Sequence, residues 1–153
     1  MKRLLILLLA AGMMSALAAQ SYKDGLYFAQ DAQFGNSGWR EQVVIEVKGG
    51  KIVSANWNGV SNLGVQDKKT YSASGGYGMG VAAKQGEWHA QAKRVEDFLI
   101  KVQDPAKISF DAKTGTTDAI SGASLKINGF IELAKRALAG QPEIGRASCR
   151  ERV

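Results

Sequence analysis

The chain predicts an α+β fold, an antiparallel sheet with a β-hairpin packed against two amphipathic helices, and three observations carry that prediction. Val43, Ile45 and Val47 alternate with Val44 and Glu46 up to a Gly49-Gly50 pair, and a second strand-like run returns from it. Apolar residues recur at steps of three and four from Trp88 and again from Ile127, which is the period of a helix with one buried face. The composition fits one globular domain: 153 residues, 45% hydrophobic and 22% charged, with 18 Gly, 2 Pro and 1 Cys. Such a chain is neither collagen-like, nor a disulfide scaffold, nor wholly disordered.

Taken in order, Asp24-Gly25-Leu26-Tyr27-Phe28-Ala29-Gln30 suits a first strand. Residues 41 to 58 form a β-hairpin closed by the two-residue glycine turn, because two consecutive positive-φ positions match the twist of the flanking strands. The stretch from Asn58 to Gly86 is polar and glycine-rich, with Lys68-Lys69 and Ser74-Gly75-Gly76-Tyr77-Gly78-Met79-Gly80, and it reads as a loop long enough to carry function. From Glu87, the residues Trp88, Ala92, Val95, Phe98, Leu99 and Val102 share a helix face that ends before Pro105. Ile108-Ser109-Phe110 and Asp118-Ala119-Ile120 are short strand candidates with a turn over Lys113-Thr114-Gly115-Thr116-Thr117 between them. The last helix carries Ile127, Phe130, Ile131, Ala134, Ala137 and Leu138 on one face. Lys135 and Arg136 lie toward its C-terminus, where the dipole favours cations, and Gly140 is its stop. Gly129 inside that helix points to close packing.

Both ends fall outside this pattern. Lys2 and Arg3, an apolar run from Leu4 to Met14 and the small residues Ser15-Ala16-Leu17-Ala18 read as a signal peptide over residues 1 to 18, cleaved near Ala18. The chain is therefore expected to be exported or periplasmic. Residues 143 to 153 have no apolar period, follow Pro142, and read as a translated sequencing adapter, an artefact tail. The domain expected to fold is residues 19 to 142. The lone cysteine, Cys149, lies in the tail, so that domain has no thiolate for a metal. Of the net charge of +6, Lys2 and Arg3 carry two and the tail, with three Arg and two Glu, carries one, which leaves +3 on the domain. Its cations are scattered and no aromatic-interleaved basic stripe is present, which argues against a nucleic-acid partner.

The chemistry-bearing segment is Asp118-Ala119-Ile120-Ser121-Gly122-Ala123-Ser124. Hydroxyl residues flanked by Gly and Ala, ahead of a helix whose first N–H groups and dipole favour an anion, suit a phosphate. That phosphate could be held by backbone N–H groups or esterified to Ser124. Alternatively, Ser121 or Ser124 is simply the helix N-cap, a role serine often takes.

At these residues the chain resembles the FMN-binding domain family, whose flavinylation motif runs from an acidic residue through Ser or Thr, Gly and Ala to the Thr or Ser that receives FMN. The family includes the flavinylated C and G subunits of Na+-pumping NADH:quinone oxidoreductase and of Rnf complexes, and small exported single-domain proteins. The resemblance spans most of residues 22 to 139. It includes Asp24-Gly25-Leu26-Tyr27, Gly50-Lys51-Ile52, Gly75-Gly76-Tyr77-Gly78-Met79 and Trp88-His89. It implies FMN joined by phosphoester to Ser124, with Ser121, Gly122, Ala123 and Asp118 completing the motif. A separate Mg-dependent flavin transferase would take the FMN from FAD. The expected function is electron transfer between membrane or periplasmic redox partners by a membrane-associated or exported flavoprotein that is not itself an enzyme. The cofactor supplies the redox chemistry and the protein fixes and tunes the ring. In this chain Ser124 replaces the more usual Thr, and Lys126 stands where many members have another hydroxyl residue.

Gly76, Tyr77, Gly78 and Met79 either wrap the isoalloxazine ring, with Tyr77 stacking, or form a plain surface loop. Trp57 and Trp88 are expected as core or rim packing, and His89 as a surface residue. Asp118 either orients the motif or bonds its own backbone in a turn. A lone histidine argues against a Ser-His-Asp triad and against histidine-based metal sites. The alternative functions are noncovalent FMN binding and a redox-silent exported module of the same fold.

Overall fold

A computed structural model describes residues 21 to 142. The signal peptide expected over residues 1 to 18 and the artefact tail expected over residues 143 to 153 lie outside the described residues. Three strands, β1 (Gly25–Gln30), β2 (Trp39–Lys48) and β3 (Lys51–Ser61), form an antiparallel sheet in the order β1-β2-β3. The helices are α1 (Lys68–Ala73), α2 (Trp88–Val102) and α3 (Asn128–Ala139), with a 3-10 turn over Pro105–Lys107. The mixed α+β class, the hairpin and the two long amphipathic helices are as the sequence predicts.

Gly49 and Gly50 take φ values of 59° and 72°, so both central turn positions are left-handed, the conformation that side chains resist. The Asp24 carboxylate accepts from both of their N–H groups at 2.9 Å, which locks β1 to the turn. Those two bonds hold the Asp24 carboxyl below its usual range. Pairing sets Tyr27 beside Ile45 and Val43 beside Trp57, and these side chains face the core with the period of two that a half-buried sheet requires. A register shift at Glu46/Val47 opposes Val47 to Ile52. The irregularity leaves Val53 without a partner and lets both Ile52 and Ala55 point inward.

One face of the sheet is covered, α2 lying on β3 and α3 on β1 and β2. Trp88, Ala92, Val95 and Leu99 of α2 are buried, as are Phe130, Ile131, Ala134 and Ala137 of α3, and Ile127 just ahead of it. The core centres on Trp57, whose ring lies 5.1 Å from those of Trp88 and Phe130. Gln103, in a left-handed conformation, ends α2 with its N–H bonded to the Leu99 carbonyl. Gly140 ends α3. A side chain at Gly129 would meet the Glu41 carboxylate only at ordinary contact distance, 3.8 Å, so close packing does not demand this glycine.

Three expectations need correction. The stretch from Asn58 to Gly86 is not all loop: β3 runs on to Ser61, and α1 occupies Lys68–Ala73. The buried residues of α1 are Lys68 and Ser72, both polar, so no apolar period marks it. Ile108-Ser109-Phe110 and Asp118-Ala119-Ile120 form no strands. The Ser109 carbonyl is taken by the Thr117 hydroxyl at 2.6 Å, and the intervening turn is closed by Asp111 N–H to the Thr116 carbonyl and by the Asp111 carboxylate. Side-chain bonds replace the ladder there, while Ile108 and Ile120 are buried as anchors. Finally, α3 starts at Asn128 with no side-chain cap bond, so neither Ser121 nor Ser124 caps it and the motif does not sit on its first turn.

Candidate functional site

A cleft of about 380 Å³ opens where the end of the motif meets the start of α1 and the loop after it. Ser124, Leu125 and Lys126 form one side, Tyr77, Met79 and Trp88 another, and Ser37, Glu41, Trp57 and Lys68 the remainder. Among the expected site residues, Ser124, Tyr77 and Met79 therefore meet in one place. The others do not line it. Ser121 is exposed and Ala123 is buried. Gly122, at φ 75°, lies under the guanidinium of Arg94, which donates to the Gly122 carbonyl at 2.7 Å and to that of Gln85 at 2.9 Å. Asp118 lines a separate concavity with Ser109, Asp111 and Thr117.

Ser124 is held by Gln91, which is wholly buried in α2. The Gln91 Oε1 accepts from the Ser124 N–H at 2.8 Å and from its hydroxyl at 3.1 Å. The Gln91 Nε2 donates to the Gly86 carbonyl at 2.8 Å, which fixes which end of the amide faces Ser124. With its proton committed to Gln91, the exposed Ser124 oxygen keeps its lone pairs for another partner.

The loop after α1 has a structural job at its start. Gly75, at φ 80°, follows the helix C-cap, with Gly75 N–H bonded to the Ser72 carbonyl and Gly76 N–H to that of Tyr71. That is a Schellman ending. It turns the chain so that Tyr77 packs 6.2 Å from the Trp39 ring and 6.4 Å from that of Trp88. Gly76 packs against the Tyr71 ring, where any side chain would collide, and Gly78 faces open space. Of this segment, Tyr77 and Met79 line the cleft.

Lys68 and Glu41 are the residues that sequence reasoning missed. Lys68 opens α1, whose N-cap Asp67 accepts from Thr70 N–H at 3.2 Å and from Asn58 Nδ2 at 2.8 Å. Those bonds pin the helix start to β3. Only 4% of Lys68 is exposed. Its Nζ donates to Glu41 Oε1 at 2.5 Å, and the other carboxylate oxygen accepts from Trp57 Nε1 at 2.9 Å. The ammonium also lies 4.4, 5.5 and 5.9 Å from the ring centres of Trp88, Tyr77 and Trp39, within cation–π range. Asp67-x-x-Thr70 was the one available sequence signal for this helix start. Trp57 and Trp88 are core residues, as expected, and each also contributes to the cleft wall.

Behind the cleft, the buried Glu96 accepts from Trp57 N–H and from Lys69 Nζ, both at 2.6 Å. Burial pushes its carboxyl up, against the opposing pull of Lys69 and the N–H. His89 is half-buried rather than fully on the surface, its Nδ1 3.1 Å from the Ser72 hydroxyl. Among the described residues no helix is long and apolar enough to cross a membrane.

No protein-family model and no curated protein matches the chain. Two solved structures are similar to it. A crystal structure of a Clostridium perfringens protein is 24% identical, over 77% of this chain and 87% of that one, with a TM-score of 0.55, a likeness of fold alone. A solution NMR structure of a Clostridium thermocellum protein is 47% identical, over 79% of this chain and 95% of that one, with a TM-score of 0.60. With nearly half its aligned residues shared over almost the whole of that relative, the chain belongs to the same family as the Clostridium thermocellum protein.

Proposed function

We propose that this protein is an exported FMN carrier in electron transfer, its FMN joined by phosphoester to Ser124. One observation carries the reading: the Ser124 hydroxyl opens onto the same cleft as Tyr77, Met79 and Trp88, so an attachment point and a wall for a planar ring coincide. The residues fit such a group. The volume lies within the range of small-molecule sites, which are largely apolar with a few placed polar groups. Lys126, beside Ser124 in the cleft, offers a cation to a phosphodiester.

When bound, FMN supplies reversible electron uptake at its ring. The chain's own residues attach, orient and shield it. In the attachment step Ser124 Oγ attacks the flavin-side phosphorus of FAD; an O–P bond forms, the P–O bond to AMP breaks, and AMP leaves. The hydroxyl proton is released, and the flavin transferase supplies the Mg ion and the base. Gln91 positions the attacking oxygen. Tyr77 and Met79, packed against the buried Trp88, would shield a bound ring from water, and the exposed Ser37, Ser124 and Lys126 would face membrane or periplasmic redox partners.

The test is coexpression of the full chain with a flavin transferase in an export-competent host, followed by a denaturing gel and intact mass. In-gel flavin fluorescence with added mass of FMN less one water is expected, and Ser124→Ala should lose both. Yellow protein whose flavin is released on denaturation would replace the ester by noncovalent binding. A colourless protein that also ignores added FMN would leave a redox-silent module of the same fold.

A further inference from the structure

The Lys68–Glu41 pair sets a lysine that is only 4% exposed against a partly exposed carboxylate, and withdrawing that ammonium from water is costly. Two charges withdrawn from water regain little by pairing, and apolar residues of similar size commonly serve as well or better. Here the pair lies in the cleft wall with Ser124. Its cation is ringed by Trp88, Tyr77 and Trp39, and its carboxylate is fixed from behind by Trp57 Nε1. Three aromatic groups limit screening by water, so the part of the Nζ charge that Glu41 leaves uncompensated acts on whatever ring occupies the cleft more strongly than it would in open water.

We infer that Lys68 is an electrostatic tuning residue that raises the reduction potential of a flavin in this cleft, and that Glu41 limits how far it does so. The inference rests on the function proposed above. Reduction by two electrons and one proton from an external donor adds one negative charge to the ring, and a neighbouring ammonium favours that form over the oxidised one. Glu41 accepts one Lys68 N–H and opposes its field. The two residues therefore act with opposite signs: without Lys68 the cleft keeps a lone carboxylate, and without the Glu41 charge it keeps a lone cation.

The experiment is a reductive titration of the FMN-loaded full chain with dithionite against a reference dye, for the wild type, Lys68→Met, Lys68→Arg and Glu41→Gln. Lys68→Met should shift the equilibrium toward the oxidised flavin by about tenfold or more, which for a two-electron couple is about 30 mV to the negative side. Glu41→Gln should shift it the other way, and Lys68→Arg should stay near the wild type. If Lys68→Met fails to fold, the sign of the Glu41→Gln shift decides. Loaded variants whose potentials match the wild type, or shift in the same direction, overturn this inference and leave the FMN reading standing. A wild type that takes up no flavin overturns both.

Discussion

Gln91 Oε1 accepts from both the N–H and the hydroxyl of Ser124, at 2.8 and 3.1 Å, across 33 residues of chain. The contact ties the buried face of the first turn of α2 to the end of the motif, and makes the geometry of one hydroxyl depend on a helix far away in sequence.

Gln91→Leu should therefore be felt twice. Losing these bonds to the Ser124 N–H and the Gly86 carbonyl, neither residue fully buried, costs about 0.5–1.5 kcal/mol, read as a lower urea midpoint. Flavinylation of Ser124 should also slow at temperatures where the variant is fully folded, measured as the time course of in-gel fluorescence. A variant that loses stability but is flavinylated at the wild-type rate would show that Gln91 only packs.

Gly122→Ala tests the motif glycine. Its φ of 75° is a left-handed conformation, and a Cβ there would lie 3.2 Å from the Arg94 guanidinium. Left-handed backbone costs a non-glycine residue about 1–2 kcal/mol. The expected result is a destabilisation of that size in urea denaturation, with Arg94→Ala relieving the steric part but losing the bond to the Gly122 carbonyl.

Phe130→Ala probes the core beneath the cleft. Phe130 is fully buried with its ring 5.1 Å from that of Trp57, and truncating such a side chain typically costs about 3–5 kcal/mol. Thermal denaturation should show the loss, accompanied by changed tryptophan fluorescence because Trp57 adjoins the vacated space.

Acid should loosen the hairpin through Asp24. Its carboxyl is held below the ordinary value of 3.8 by the Gly49 and Gly50 N–H groups. The folded form thus binds the proton less tightly than the unfolded one, and the contribution is complete above the ordinary value and lost as pH falls through the folded one. Asp24→Asn should be less stable than the wild type near neutral pH, and the difference should shrink as the pH is lowered, followed by urea denaturation at a series of pH values.

Glu96 has the opposite sign. Burial raises its carboxyl above the ordinary value of 4.5, so the folded form binds the proton more tightly and stability declines as pH rises from that ordinary value through the raised one. Glu96→Gln keeps an acceptor for the Trp57 N–H and has no proton to lose. Its stability relative to the wild type should rise across that window, and parallel pH profiles of the two proteins would exclude the effect.

What could be read from the chain followed from short-range periodicity. The alternation from Val43 to Val47, the paired glycines at 49 and 50, and the three-four spacing from Trp88 and from Ile127 are each set by local geometry. They establish the hairpin, α2, α3 and the α+β class. The motif ending at Ser124 and the aromatic Tyr77 were legible as residues, from a resemblance, but not as neighbours. Where local pattern and local bonding diverge, the reading fails: Ile108 and Ile120 are apolar like strand residues, yet Thr117 and Asp111 take the backbone groups that a ladder would need.

The tertiary structure alone decided which side chains share the cleft. α1 buries a lysine and a serine, not a hydrophobic face, because Asp67, Asn58 and Glu41 come from three separate places to satisfy its first turn and its charge. No sequence period records such an arrangement, since the Asn58 and Glu41 bonds reach across 9 and 27 residues of chain. The sequence by itself determines the elements, through propensity and pattern. The juxtaposition of Ser124, Tyr77, Trp88 and Lys68 exists only after those elements pack, because each polar group in the cleft is affordable to bury only beside the partner that packing brings to it.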